Sequence, residues 1–186
     1  MAKENQTRYA ILGMLSHEPL SGYDIKKRIE ISLSCFWSAG FGQIYPSLGK
    51  LEEEKLVTKR IETSENRPSR KIYTITEEGR EELKTWLSTP VRQENVRYEI
   101  LLKLFFGSQI PVESNIQNIA EFRSRNSANL ETLKQFEQQL RGALTENKDH
   151  IYYLLTVLFG QHVYNAYLTW ADQAINMLEE LKSDST

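Results

Sequence analysis

The side chains best suited to a specific chemical task lie in one stretch, GFGQIYPSLGKLEEEKLV, at residues 40–57. Apolar residues recur there every three or four positions, which predicts a helix that buries one stripe. The stripe consists of Phe41, Ile44, Leu48 and Leu51. The opposite face is predicted to expose Gln43, Pro46, Ser47 and Lys50. Gln43, Ser47 and Lys50 can hydrogen-bond to base edges or phosphates in a DNA major groove, and the four residues do not form a catalytic set.

The position of Pro46 limits where this helix can start. Proline is tolerated in the first helical turn, whereas deeper in a helix it removes a hydrogen bond and clashes with the preceding turn. We therefore expect the helix to begin near Gln43, after the two glycines at 40 and 42. Its polar N-terminal turn is then the part that enters a groove.

A second polar group follows in a predicted β-hairpin. The stretches VTKRIET and RKIYTIT alternate apolar and polar residues, and the Ser, Asn and Pro between them indicate a turn. The tip carries Arg67, Arg70 and Lys71. Beside a helix of groove-binding size, a basic tip suggests contact with phosphates or with the minor groove. The alternative is a loop that only keeps the protein soluble.

Three further helices are predicted to position these groups. TRYAILGML forms the first, and SGYDIKKRI forms the second, with Ser21 as its cap and Asp24 in the place of the capping-box acid. Ile25 and Ile29 face inward, so the basic triplet at 26–28 faces solvent, as a solvated surface or as a binding site. After the hairpin, Thr76 caps another helix. The order helix, helix, helix, hairpin, helix is that of a winged helix-turn-helix.

Composition excludes several classes of protein. The 186 residues have a net charge of −2, so attraction to nucleic acid requires a local basic surface. The single cysteine, Cys35, allows no intrachain disulfide, is predicted to be a small buried residue and favours a cytoplasmic location. The longest apolar run, at 151–160, is too short to span a membrane. The sequence lacks a Gly-rich phosphate loop, a metal-ligand cluster and a Ser/His/Asp arrangement, so we expect no enzyme, metal or cofactor.

The second half contains only helical periodicity, so we divide the chain into a DNA-binding domain at 1–90 and a helical domain at 91–186. Predicted helices cover 96–106, 112–146 and 150–182, and the first half of the last one is apolar almost all round. Because a helix apolar on every side must be buried on every side, we expect a second chain to cover it. The predicted dimer contacts are Leu155, Leu158, Phe159, Val163, Tyr167 and Trp170.

Two sets of polar residues in this half have alternative interpretations. Arg123 and Asn126 fall in the apolar seam of the long helix, where they either fix register or line a cavity. His162 and Asn165, with the aromatic residues of the last helix, either line an effector pocket or belong to the core. The ligand-binding residues stay unknown at this point.

Four motifs along residues 9–87 resemble the DNA-binding domain of PadR-like transcriptional regulators: YAILGML, SGYDIKKRI, GQIYPSLGKLEEEKLV and RKIYTITEEGREELKTWL. The second half resembles, more loosely, a virulence-activator C-terminal dimerisation domain. The resemblance implies a mainly α fold and a cytoplasmic bacterial repressor that binds a palindromic operator as a homodimer and responds to a small phenolic or hydrophobic effector. It places Gln43, Tyr45, Pro46, Ser47 and Lys50 at the groove and Arg67, Arg70 and Lys71 in the wing. Tyr23 and Lys26 complete the predicted DNA contacts.

An interaction module without DNA specificity is the alternative function. Winged helices also bind proteins, and the acidic run at 52–54 beside the third helix suits that use.

Overall fold

The computed structural model describes residues 6–33, 36–37, 41–64, 67–91 and 96–183. Cys35 lies outside this set, and so do the side chains of Phe41 and Arg67, although their backbone belongs to regular elements. The chain divides into two compact units, Met1–Gln93 and Glu94–Thr186.

The first unit has the element order that the sequence predicts. It contains α1 (Thr7–Leu15), β1 (Leu20–Ser21), α2 (Gly22–Ser32), α3 (Phe41–Glu53), β2 (Val57–Ser64), β3 (Arg67–Ile75) and α4 (Glu77–Ser88). Two of the helices, α2 and α3, precede a β2–β3 hairpin, which is the wing. This arrangement, together with the helical second unit, confirms the predicted fold class.

The core of this unit is an apolar cluster between the three N-terminal helices and the base of the wing. Ile25 and Ile29 of α2 are fully buried, as predicted, and so are Ile44 and Leu48 of α3. The predicted capping box at the start of α2 is present, because Asp24 N–H donates to the Ser21 hydroxyl and the Asp24 carboxylate accepts from Ser21 N–H. The apolar stripes of α2 and α3 thus meet in this core, while the cap fixes where α2 begins.

The sheet has three antiparallel strands in the order β1–β3–β2, one more than the sequence predicts. The additional strand, β1, pairs Leu20 with Tyr73 and Ser21 with Ile72. Two residues are too few to produce an alternating pattern, so this strand is invisible to periodicity. It attaches the base of the wing directly to the first turn of α2.

The start of α3 differs from the prediction. The helix begins at Phe41, two residues before Gln43, and Pro46 therefore lies inside it, two residues deeper than expected. Pro46 has no N–H to donate to the carbonyl group of Gly42, the position four residues earlier. Burial of Ile44, Leu48 and Leu51 stabilises the helix despite this missing hydrogen bond.

The start of α4 packs closely against the loop between α3 and β2. Thr76 caps the helix by accepting from Gly79 N–H at 3.1 Å, and its hydroxyl donates to the Lys55 carbonyl oxygen at 2.9 Å. A Cβ atom at Gly79 would lie 2.2 Å from the Leu56 carbonyl oxygen. A glycine is therefore required for α4 to approach the loop between α3 and β2.

The second unit is helical throughout its described residues. It contains α5 (Glu99–Phe105), a 3₁₀ turn (Gly107–Gln109), α6 (Val112–Gly142) and α7 (Asp149–Ser183). The first of these starts at Glu99 rather than 96, and the long helix ends at Gly142 rather than 146. Packing of α7 along α6 buries Leu154, Val157 and Ala171.

Arg123 and Asn126, the two polar residues in the apolar seam of α6, both form hydrogen bonds inside the second unit. Asn126 is buried and its side-chain amide donates to the Phe122 carbonyl oxygen at 2.7 Å. Arg123 pairs with Asp172 on α7. Arg123 therefore links α6 to α7, as the structural interpretation expects, whereas the Asn126 bond lies within α6. Among the described helices, none combines the length and the hydropathy that a membrane span requires.

Candidate nucleic-acid interface

The polar face of α3 carries most of the side chains that the sequence predicts for it. Gln43, Pro46 and Lys50 are exposed, and Tyr45 is 48% exposed. Ser47 is the exception: it is only 2% exposed, so the prediction that it lies on the open face is wrong. At 100° per residue, Ser47 lies about 40° from Leu51 and about 60° from Ile44 around the helix axis, so it joins the edge of the buried side. The solvent-facing surface therefore consists of Gln43, Tyr45, Pro46 and Lys50.

The placement of Tyr45 depends on the first turn of α2. A Cβ atom at Gly22 would lie 2.7 Å from Cε1 of Tyr45 and 3.3 Å from Cδ1 of Leu48. The absence of a side chain at Gly22 thus lets the Tyr45 ring lie against α2 while half of it stays open to solvent. Tyr23, the next residue along α2, is 56% exposed. Two tyrosines therefore project from the junction of α2 and α3.

The basic triplet of α2 is divided between ion pairs and solvent. Lys26 pairs with Glu30 at 2.7 Å, and Arg28 pairs with Glu18. Lys27 is exposed and has no carboxylate partner among the described residues. It follows Tyr23 by one helical turn and is a candidate contact that the predicted set omits. The sequence signal for it was the basic triplet itself, which does not reveal which member is paired.

The wing cations also have different environments. Lys71 is exposed and forms no ion pair with any described carboxylate. Arg70 donates to both carboxylate oxygens of Asp24, at 3.1 and 3.2 Å. The pKa of Asp24 is lowered, first because the Ser21 hydroxyl donates to its carboxylate and also because Arg70 lies beside it. Of the three predicted wing cations, Lys71 is the one whose described side chain faces solvent unpaired.

Two of the three glutamates at the C-terminal end of α3 are held by cations. Glu52 accepts from Lys59 at 2.8 Å, and this hydrogen bond raises the pKa of Lys59. Glu54 pairs with Arg8 of α1. Their negative charge is therefore offset locally, at the end of the helix opposite the polar N-terminal turn.

The predicted dimer contacts of α7 fall into two groups. Leu155 and Phe159 are 56% and 62% exposed and lie one turn apart. The other four are half-buried within the chain: Leu158, Val163, Tyr167 and Trp170. Only the first group is thus wholly available to a partner.

Tyr167 and Trp170 take part in an aromatic cluster of the second unit. The Tyr167 hydroxyl hydrogen-bonds to the Tyr98 hydroxyl at 2.9 Å, and the Trp170 ring packs edge-on against Phe122. Burial, followed by the bond to Tyr98, raises the pKa of Tyr167 well above its ordinary range. Both rings therefore already contribute to packing inside one chain.

A cavity of about 550 Å³ lies on α5 and α6. It is lined by Leu102, Lys103, Phe106, Gln109, Ile110 and Asn118. His162 and Asn165 of α7 do not line it and are exposed, so they do not belong to the core. No group of three or more metal-binding side chains occurs among the residues that the structure describes.

Comparison with known proteins gives two family matches that divide the chain as the fold does. The model of the transcriptional regulator PadR-like family matches residues 11–85, and that of the virulence activator alpha C-terminal region matches residues 96–179. The negative transcriptional regulator PadR of Bacillus subtilis is 31% identical over an alignment of 179 residues that covers 93% of this chain and 97% of that protein.

Solved structures of that Bacillus subtilis protein are similar along nearly the whole chain. Its complex with operator DNA superimposes with a TM-score of 0.77 at 30% identity, covering 92% of this chain and 98% of the other. Its complex with p-coumaric acid gives a TM-score of 0.72 at 30% identity, with the same coverage of both chains.

Proposed function

The chain belongs to the PadR-like family of transcriptional regulators, and we propose that it represses transcription by binding a palindromic operator as a homodimer. The observation that carries the proposal is the open polar face of α3. Gln43, Tyr45 and Lys50 project from one side of a helix whose other side is fully buried. A helix of this size fits the major groove, where amide and ammonium groups bind base edges and phosphates.

The flanking cations support the same interface. Lys27 on α2 and Lys71 on the wing are exposed without a carboxylate partner among the described residues, on the two elements next to α3. Phosphate contacts from such residues fix the register of the protein on the duplex, and the α3 face then reads the sequence. We leave Ser47 out of the contact set because it is buried.

Exposed apolar residues on α7 support the homodimer. Ile151, Leu155 and Phe159 follow one another at intervals of four residues, so they form a continuous strip along the helix. Water-exposed strips of this kind are typical of surfaces that a partner covers. A two-fold dimer reads half-sites about 34 Å apart, or multiples of that distance.

A small phenolic or hydrophobic effector is proposed by similarity to the Bacillus subtilis protein, which has been solved in complex with p-coumaric acid. We place the regulator in the bacterial cytoplasm, where its operator lies. The proposal gives the chain no catalytic step and no cofactor.

The competing function, a winged-helix module that binds only proteins, has less support from the structure. Its main argument was the acidic run at 52–54, and Glu52 and Glu54 are engaged by Lys59 and Arg8. Charge reversal of Lys71 separates the two functions. A DNA reader loses affinity for its duplex, while a protein adaptor keeps its partner.

Selection of duplexes from a randomised library with the full chain tests the proposal. The expected result is a palindromic consensus whose half-sites are spaced by about one helical turn, roughly 34 Å. Bound duplexes that share no sequence after repeated rounds would rule out a sequence-specific repressor.

A further inference from the structure

Arg70 was predicted from the sequence to contact DNA, but its guanidinium is turned toward α2. One nitrogen, Nη2, lies 3.2 and 3.1 Å from the two carboxylate oxygens of Asp24 and 3.4 Å from the Ser21 hydroxyl oxygen. The same carboxylate accepts from the Ser21 hydroxyl at 2.6 Å. Asp24 thus belongs to the cap of α2 and to an ion pair with the wing at the same time.

This ion pair lies where the wing is attached to the helices. Ser21 pairs with Ile72 of β3, two residues after Arg70, so the ion pair extends a short strand pairing that joins the wing to α2. The same first turn of α2 contacts Tyr45 of α3 through Gly22. One helical turn therefore contacts both the wing and the helix that carries the polar face.

We propose that Arg70 is a positioning residue, which with Asp24 holds the wing at a fixed angle to α3 so that Lys71 and Tyr45 face the same duplex. The proposal deepens the proposed DNA-binding function and rests on it. Arg70 itself neutralises no phosphate in this account. If it moved to a phosphate, Asp24 would be left without its cation close to the negative charge of DNA, which offsets the gain.

Salt dependence of binding distinguishes a positioning residue from a phosphate contact. Each phosphate contact changes the slope of log affinity against log salt concentration by about 0.9, because it releases one counterion. Arg70→Gln and Lys71→Gln remove the same charge from adjacent positions of one strand, so each serves as the control for the other. The probe is a duplex selected from a randomised library with the wild-type chain.

Different results are expected for the two variants. Lys71→Gln reduces the slope by about 0.9, as the loss of one phosphate contact requires. Arg70→Gln lowers affinity about two- to fivefold, in line with a half-exposed ion pair, and leaves the slope at the wild-type value. A reduction of the slope by Arg70→Gln equal to that of Lys71→Gln would overturn the proposal.

Asp24→Asn tests the positioning role by the direction in which DNA affinity changes. Removing a negative charge near DNA should strengthen binding if only electrostatics matter. Loss of the ion pair should weaken it, and the double variant with Arg70→Gln should bind no worse than Arg70→Gln alone. Asparagine keeps an oxygen that accepts from Ser21, so the cap of α2 is retained. Tighter or unchanged binding by Asp24→Asn would contradict the positioning role.

Hydrogen exchange without DNA separates failure of this inference from failure of the proposed function. Backbone amides of β2 and β3 should exchange faster in Arg70→Gln and Asp24→Asn than in the wild type, and at the wild-type rate in Lys71→Gln. Unchanged exchange in the first two variants would refute the positioning role even if the wild type binds DNA. Faster exchange together with a wild type that prefers no duplex would instead refute the DNA-binding function.

Discussion

Replacement of Gly22 by alanine should reduce DNA affinity without a matching loss of stability. The new Cβ atom would lie 2.7 Å from Cε1 of Tyr45, whereas ordinary contacts begin at 3.4 Å, so the ring must move by about 0.7 Å or rotate away. The ring is half-exposed, so there is room for it to shift toward solvent. Such a displacement moves Tyr45 away from the surface proposed to meet DNA.

The free energy of unfolding of Gly22→Ala reflects two opposing terms. Overpacking costs about 1–3 kcal/mol in a closed core and less where a ring can turn toward solvent. Alanine in place of glycine in a helix contributes up to about 1 kcal/mol. We therefore expect a net change within about 1 kcal/mol, and a loss of affinity of about tenfold, the value of one good contact to a base.

The matched control is Gly13→Ala in α1, where a Cβ atom would meet no atom within 4 Å. This variant should gain up to about 1 kcal/mol of stability from helix propensity and bind the selected duplex like the wild type. Urea unfolding followed by circular dichroism and fluorescence anisotropy with labelled duplex measure the two quantities. If Gly22→Ala binds the duplex with wild-type affinity, Gly22 does not control the placement of Tyr45. The same conclusion follows if Gly22→Ala causes an equal loss of affinity in a Tyr45→Ala background.

Three further predictions concern stability and assembly. Gly79→Ala places a Cβ atom 2.2 Å from the backbone oxygen of Leu56, so thermal unfolding should show a loss of at least about 2 kcal/mol; an unchanged melting temperature would contradict that contact. Phe159→Glu should convert the dimer to monomer in analytical ultracentrifugation, while Thr132→Glu on α6 should not, and a dimeric Phe159→Glu variant would exclude this strip as the interface. The pKa of Asp24 lies below its ordinary value of 3.8, so the stability that the Asp24 carboxylate contributes is present above that pH and is lost as the pH falls through the lowered pKa. In urea unfolding at several pH values, Asp24→Asn should therefore lose less stability in acid than the wild type. Identical pH profiles of the two proteins would contradict this contribution.

Periodicity predicts α1 and α2 because each has one buried stripe. The α1 helix runs over Thr7–Leu15 as expected, and Ile25 and Ile29 are buried on the next one. The same method fails at Ser47, since a small polar residue at the edge of an apolar stripe can be buried without changing the pattern.

Interactions between distant residues are the part that a single sequence does not reveal. Arg70 and Asp24 are 46 positions apart, and nothing in their local sequences links them. β1 exists only because β3 provides its partner, so its two residues carry no signal of their own.

The apolar character of α7 was predicted correctly, but one neighbouring helix covers more of it than expected. Leu154 and Val157 are buried against α6, while Leu155 and Phe159 remain exposed. The pattern indicates that the helix needs partners, and only the structure distinguishes the side that its own chain covers from the side left for another.

Reading of a DNA sequence by the open face of α3 and its flanking cations is the core of the proposed function. Its most direct test compares the affinity of the full chain for its selected duplex with that for a scrambled duplex of the same composition, at physiological salt. We expect a preference for the selected duplex of at least about a thousandfold, and binding that weakens steeply as salt is raised. Equal affinity for the two duplexes would contradict it.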